Sequence, residues 1–334
     1  MARKYAIVST IKVWDDSALR WAMYHEALGF DPIYVFCDSA ATTQNSTPAA
    51  RVIVCDRAYW RQFAEYPLYH LLDPRNQYGT PSWGSPQSVM LRQALNVESA
   101  ISSSIRDGVG WLLHIDGDEL FHCPDVTVSE HFDALCSLQI TRVRYLNMES
   151  IVLPREPATI FGQERLFKIN PTALSELQRR AVGEIRGELP YFLSYSNGKS
   201  ATRISSEVHC SGVHDFRNLG GETGMCHLTQ PTILHFPYSS YEQFQEKHES
   251  LGEFDSSSIF GDKWRPPAVL IAAERCVRSK DRESLRRVYD EWVVWDEACT
   301  RRLSDVRVVQ RIAVDDCAST GESGSVSASV LGEA

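Results

Sequence analysis

Residues 111–121 read WLLHIDGDELF: an apolar run ends in Asp116, Asp118 and Glu119, with Gly117 between the aspartates, and Leu120 and Phe121 restore apolarity at once. Like charges this close repel, and each carboxylate is expensive to desolvate unless a cation meets it. A divalent metal is the leading cation. Side chains at i and i+2 of a strand point the same way, so the spacing aims Asp116 and Asp118 at one ion, and Gly117 leaves the backbone between them bare for a ligand to approach. Two hard oxygen donors suit Mg²⁺ or Mn²⁺, which leave coordination positions to water and to a substrate's phosphates. The chemistry this supports is a nucleotide diphosphate held by a metal. The competing reading is a polar turn after a buried strand. An EF-hand is excluded because Phe121 stands where its loop needs glycine, and a Walker loop because Leu193 stands where the glycine preceding SNGKS (196–200) belongs.

Something must carry that cluster to the edge of a sheet. KYAIVST has the composition of a strand, DDSALRWAMYHEALGF places Leu19, Met23, Ala27 and Phe30 at helical spacing, and PIYVFCD resumes as a strand, giving the βαβ unit of a parallel sheet. RVIVCD reads as a third strand, residues 57–85 as an irregular loop, and residues 85–106 as a long helix that delivers the chain to WLLHID. The crevice at the carboxyl ends of such strands is where α/β sheets bind ligands. Farther on, QITRVRYLNM, SATRISSEV and TILHF are strand-like. ALSELQRRAVGEIR is at best a short helix, and SSYEQFQEKHESL and DRESLRRVYDEWVVWDEACTRRL carry helical periodicity. The expected organisation is a catalytic domain at 1–245, a C-terminal helical segment packed on it at 246–316, and a disordered Ser/Gly-rich tail at 317–334.

The 334 residues carry a net charge of −9 with no Lys/Arg block, which opposes broad nucleic-acid binding. The nine cysteines include no C-x-x-C pair and read as reduced thiols. No run reads as a signal peptide or a membrane span, so the expected setting is soluble, reducing and cytoplasmic.

The D-x-D-E-hydrophobic run after an apolar strand, preceded by SPQSVMLRQALNVESAI, resembles the GT-A glycosyltransferases, most closely the family 92 and family 2-like group. STIKVWDDSALRWAMYHEALGFDPIYVFCDSA is similar to that group's opening, and NGKSATRISSEVHCSGVH and ILHFPYSSYEQFQEKH to its later segments. The chain departs from the group at Val13-Trp14, where the group has Asn-Glu. The resemblance implies a GT-A fold, a Rossmann-like mixed sheet flanked by helices. It also implies a metal-dependent glycosyltransferase of hexosyl type that moves a sugar from a nucleotide-diphosphate donor, usually UDP-linked, to a hydroxyl of a glycan or other acceptor, with inversion.

Under that resemblance Asp116 and Asp118 hold the metal, with a third ligand from His235 or His214, and His235 is favoured. Asp38 takes ribose or uracil hydrogen bonds, and Lys12, Lys199, Arg203 and Lys247 contact the donor. The general base is a carboxylate between the D-x-D and the late histidines: Glu164, Glu184 and Glu188 qualify by order, with Glu149 and Asp215 in reserve. Two other classes compete. A nucleotidyltransferase needs a Gly-rich basic N-terminal loop, and STIKVWDDS has no glycine; a non-catalytic carbohydrate- or protein-binding module would have lost the acidic cluster that is intact here.

Overall fold

The computed structural model describes residues 3–39, 41–63, 89–154, 161, 163–221, 224–251 and 268–314. Most of the loop expected at 57–85 and the tail at 317–334 lie outside the described residues.

Four strands form a parallel half-sheet. β1 (Lys4–Ile11), β2 (Ile33–Cys37), β3 (Ala50–Val54) and β4 (Val109–His114) lie in the order β4-β1-β2-β3 and are all parallel. The apolar, β-branched residues of β1, β2 and β4 are buried on both faces, as the interior of a parallel sheet requires, while β3 at the edge is only partly covered. α1 (Asp16–Ala27) makes the first crossover, started by the Asp15 side chain accepting from Ala18 N. After the short α2 (Arg57–Arg61), which begins the stretch expected to be irregular, α3 (Val89–Asp107) packs Ala94, Leu95, Val97 and Ile101 against Ala6, Val8 and Leu112 on the other face.

Beyond β4 the sheet becomes mixed. β5 (Glu119–His122), β6 (Arg142–Ser150), β7 (Gln163–Lys168), β8 (Lys199–Arg203), β11 (Met225–His235) and β12 (Val309–Val314) complete ten strands, with β8 antiparallel to both β4 and β6, and β11 parallel to β6 but antiparallel to β5. β9 (Val208–Cys210) and β10 (Phe216–Asn218) form a separate hairpin against α3. α4 (Val128–Ser137) opens with a Thr127/Glu130 capping box and α5 (Glu176–Arg186) with a Ser175/Gln178 one. The expected α/β class, a mixed sheet flanked by helices, is the one observed.

The C-terminal stretch holds helices α6 (Tyr241–Leu251), α7 (Ala268–Ser279), α8 (Arg282–Val288) and α9 (Glu297–Asp305), and also a strand that periodicity did not suggest. β12 pairs antiparallel with β7 at the sheet edge. Val269, Ala273, Leu285, Tyr289 and Val293 pack on Val152, Leu193, Tyr238 and Phe244, and Trp295 N donates to Val152 O at 2.9 Å. None of the described helices is long and apolar enough to cross a membrane.

α1 does more than cover the sheet, because three of its side chains hold the β5 backbone. Trp21 Nε1 donates to Glu119 O at 2.7 Å and the Tyr24 hydroxyl to Phe121 O at 3.2 Å. His25, fully buried, donates from Nδ1 to Trp21 O at 2.8 Å and accepts from Phe121 N at Nε2. That pair of bonds exists only for the neutral ring. Burial accordingly pushes the His25 pKa from 6.5 down to about 3, and burial lowers His131 and His248 to about 4.

Two outcomes are expected. Because these three histidines bind protons in the unfolded chain below pH 6.5 but not in the folded one, their stability contribution is complete above that value and is lost as pH falls toward 4. The unfolding free energy by urea titration should drop by on the order of 2 kcal/mol per histidine between pH 6.5 and 5, and His25→Gln should flatten that slope. A chain cut after residue 245 loses the partners of Val152, Leu193 and the β7 edge, and circular dichroism melting should show no cooperative transition for it.

Candidate active site

The acidic run is a turn and not a strand: β4 ends at His114, and residues 117–118 turn the chain into β5. Glu119 closes that turn, its buried carboxylate accepting from Asp116 N at 2.7 Å, while Asp118 O accepts from Phe236 N at 2.9 Å. The space at Gly117 serves packing as well as access, since a Cβ there would lie 2.6 Å from Cγ2 of Ile11. The bare backbone expected for ligand approach is therefore pressed against the end of β1.

Two lysines answer the question of what meets the carboxylates. Lys199, at the start of β8 and fully buried, donates to Asp116 Oδ2 at 2.7 Å and stands 3.7 Å from Glu119. Lys247, on α6 and a third exposed, donates to Asp118 Oδ2 at 2.8 Å. The other Asp116 oxygen accepts from Gln93 of α3 at 2.8 Å. Burial raises the Glu119 pKa to about 7 although Lys199 pulls it down. Burial works against the Lys199 charge, yet Asp116 and Glu119 more than offset it and hold its pKa above the usual lysine value. Gly198 sets this lysine in place: its φ of +73° suits glycine, and a Cβ would run into the Tyr145 carbonyl.

Both late histidines reach the group. His235 ends β11, in register with Glu119 on one side and Glu149 on the other, and its Nε2 lies 3.7 Å from Asp118 Oδ2. Burial alone would lower its pKa, but the Asp118 carboxylate raises it. His214 donates from Nδ1 to Gly198 O at 3.0 Å, and burial together with Lys199 holds its pKa down to about 3, so the ring is neutral with its lone pair on Nε2. Between the two imidazoles stands Tyr195, with ring centroids 4.4 Å from His214 and 5.2 Å from His235.

The loop that presents Tyr195 is braced from below. Glu149 and Lys168 form a buried ion pair, and the Glu149 carboxylate also accepts from Leu193 N and Ser194 N, each at 2.9 Å. Asn147 donates to Tyr195 O at 2.9 Å and Asn170 to Ser196 O at 2.9 Å.

The remaining residues singled out from the sequence divide. Asp38, beyond β2, pairs with Arg92 of α3 at 2.6 Å, and burial raises its pKa against the pull of that guanidinium. Lys12 pairs with Glu246 at 3.3 Å at the exposed rim. Arg203 is exposed and lies opposite Trp111, four residues along β8 from Lys199 and toward the opposite end of β4, which takes it away from the group. Glu164 is exposed on β7, 3.7 Å from Arg311 of the edge strand, and Glu184 and Glu188 are exposed on and just after α5. Those three are not brought to the carboxylates. Glu149 is committed to Lys168 and Asp215 to Arg142 and Arg144. Sequence reading missed Arg92, Gln93 and Tyr195; the first two lie on the α3 turn facing the strand ends, a signal that helical phase could have given.

Two aspartates and an imidazole are the oxygen and nitrogen donors that Mn²⁺ and Mg²⁺ take. The Nδ1–H bond from His214 to a backbone carbonyl is the kind that orients a ligating histidine. The donor chemistry fits a divalent cation. Among the described residues no three such side chains yet form a coordination group, and a lysine ammonium holds each aspartate.

No family model matches the chain. It is similar to two glycosyltransferase-like proteins of Arabidopsis thaliana, at 26% identity over 300 residues (84% of this chain, 64% of the relative) and 25% over 315 residues (89% and 59%). The chain thus spans about three fifths of the length of these curated relatives. Among solved structures, core-mannan synthase A of Aspergillus fumigatus in its Mn/GDP form is matched at a TM-score of 0.29 and 10% identity, over 61% of each chain.

The two lysines should separate by stability. Lys199→Met strips a fully buried charge from its partners and is expected to cost on the order of 3–5 kcal/mol in urea unfolding. Lys247→Met removes a part-exposed pair and should cost no more than about 1 kcal/mol.

Proposed function

We propose that this chain is a glycosyltransferase of the GT-A type that takes a nucleotide-diphosphate sugar, UDP-linked in the first instance, and transfers the sugar with inversion to a hydroxyl of a glycan or other acceptor. One observation carries the reading. At the carboxyl ends of parallel strands, where α/β sheets bind ligands, Asp116 and Asp118 meet Lys199, Lys247, His214 and His235 in one cluster. The resemblance of the opening, D-x-D and closing segments to family 92 supports inversion, and the similarity to the glycosyltransferase-like proteins supports the reaction class.

Each residue has a stated part. Asp116, Asp118 and His214 or His235 would hold a divalent cation, whose positive charge, when bound, stabilises the leaving diphosphate. Lys247, part-exposed, paired with Asp118 and the Pro237 carbonyl and lying over the Tyr238 ring, is the ammonium placed to turn toward a phosphate. Lys199 is the fixed charge paired with Asp116. Asp38 and Arg92 flank the nucleoside end, and Lys12 stands at the rim. Trp21, Tyr24 and His25 fix β5, and through it the position of Asp118.

The test is a panel of UDP-, GDP-, CDP- and ADP-sugars assayed for released nucleotide with Mn²⁺, Mg²⁺ or EDTA. Turnover of at least one sugar nucleotide, lost with EDTA and reduced about 100-fold or more in Asp118→Asn and Lys247→Met, is the expected result. A folded wild type that turns over none of them, or an Asp118→Asn variant with full activity, overturns the reading.

A further inference from the structure

Among the described residues, the buried polar atoms near the acidic turn without a hydrogen-bond partner include the Tyr195 hydroxyl, His235 Nδ1 and Glu119 Oε1. A buried hydroxyl without a hydrogen bond is costly, and one left so beside a functional cluster marks a place where a ligand supplies the partner. His235 and Glu119 are almost fully enclosed, whereas the Tyr195 side chain is half-buried with only its hydroxyl covered, so of the three residues it is the one with substantial surface outside the cluster.

Three groups with chemistry to do stand against its ring. His214 and His235 flank it, and the Lys199 ammonium lies over it, 5.2 Å from the centroid. Its main chain is fixed by Asn147, and the two residues before it by the Glu149 carboxylate. A side chain so restrained pays little further entropy when its hydroxyl is used. A phenol among cationic and imidazole neighbours is a neutral donor suited to an anionic or hydroxyl oxygen.

We propose that Tyr195 is a substrate-contacting residue whose O–H donates to an oxygen of the bound sugar nucleotide, either on the diphosphate or on the transferred sugar. The assignment rests on the glycosyltransferase reading and adds a contact that no sequence motif marks. It has an unusual signature. Removing the hydroxyl relieves an unsatisfied buried atom in the ligand-free protein while removing a bond in the complex, so stability and activity move in opposite directions.

Tyr195→Phe is compared with wild type in the full chain by thermal melting without ligand, by calorimetric titration of UDP, and by turnover of the sugar nucleotide that wild type uses best. The expected result is a ligand-free melting point equal to or above wild type, with kcat/KM reduced about 10- to 100-fold. UDP binding weakened by the same factor places the contact on the diphosphate, and unchanged UDP binding places it on the sugar. A lowered melting point with activity lost in proportion marks a structural tyrosine, and unchanged kcat/KM marks an idle one; either overturns the assignment. Wild-type protein that neither binds UDP nor turns over any sugar nucleotide removes the parent reading together with it. Tyr195→Leu, which takes away the ring as well, should lower the melting point, showing that the ring and not the hydroxyl carries the packing.

Discussion

A single buried ammonium organises the centre of this protein. Lys199 has no solvent contact, and a lysine in that position is tolerated only where anions surround it. Asp116 and Glu119 supply them from the turn between β4 and β5, and the Val213 carbonyl takes a further donor bond at 3.2 Å. Each of these segments is placed by the requirement of that one charge, so the start of β8, the acidic turn and the 213–215 turn must fold as a unit. The electrostatic problem set by three neighbouring carboxylates is thus solved within the chain. What remains exposed is the Asp118–Lys247 pair, the part of the cluster with freedom to exchange partners.

Around that unit the fold spends hydrogen bonds on backbone as much as on side chains. α1 reaches across to β5 with an indole, a phenol and an imidazole, each on a different backbone group. On the far side the Glu149–Lys168 pair, with Asn147 and Asn170, fastens residues 193–196. A catalytic cluster built on turns needs such bracing, because turns lack the ladder that keeps a strand in place.

The parallel half of the sheet was legible because β1, β2 and β4 are buried on both faces and read as near-continuous apolar runs, and α1 and α3 because their periodicity is strong. The acidic residues were legible because charge directly after an apolar run is costly and so has a purpose. Their conformation was not: i, i+2 spacing suits a strand and a tight turn equally, and only tertiary contacts distinguish them. Lys199 was expected to face a ligand, but no local pattern shows that a lysine is buried, since its acidic partners lie 80 or more positions away. β12, VQRIAV, escaped because its pairing with β7 spans roughly half the chain's length. The carboxylates proposed as bases were chosen by order along the chain, which carries no information about which strand edge they occupy.

The pairing of residues 309–314 with β7 bears on how the chain is made. Synthesis proceeds from the N-terminus, at about 5–20 residues per second. β1, β2, β3 and β4 can assemble early, whereas β7 is translated long before its edge partner and must wait with an open edge and without the Trp295 contact to Val152. An unpaired strand edge invites association with other chains. The interval between translation of residue 168 and residue 314 is therefore the period in which a nascent chain most needs a chaperone, and heterologous production should improve at lower temperature.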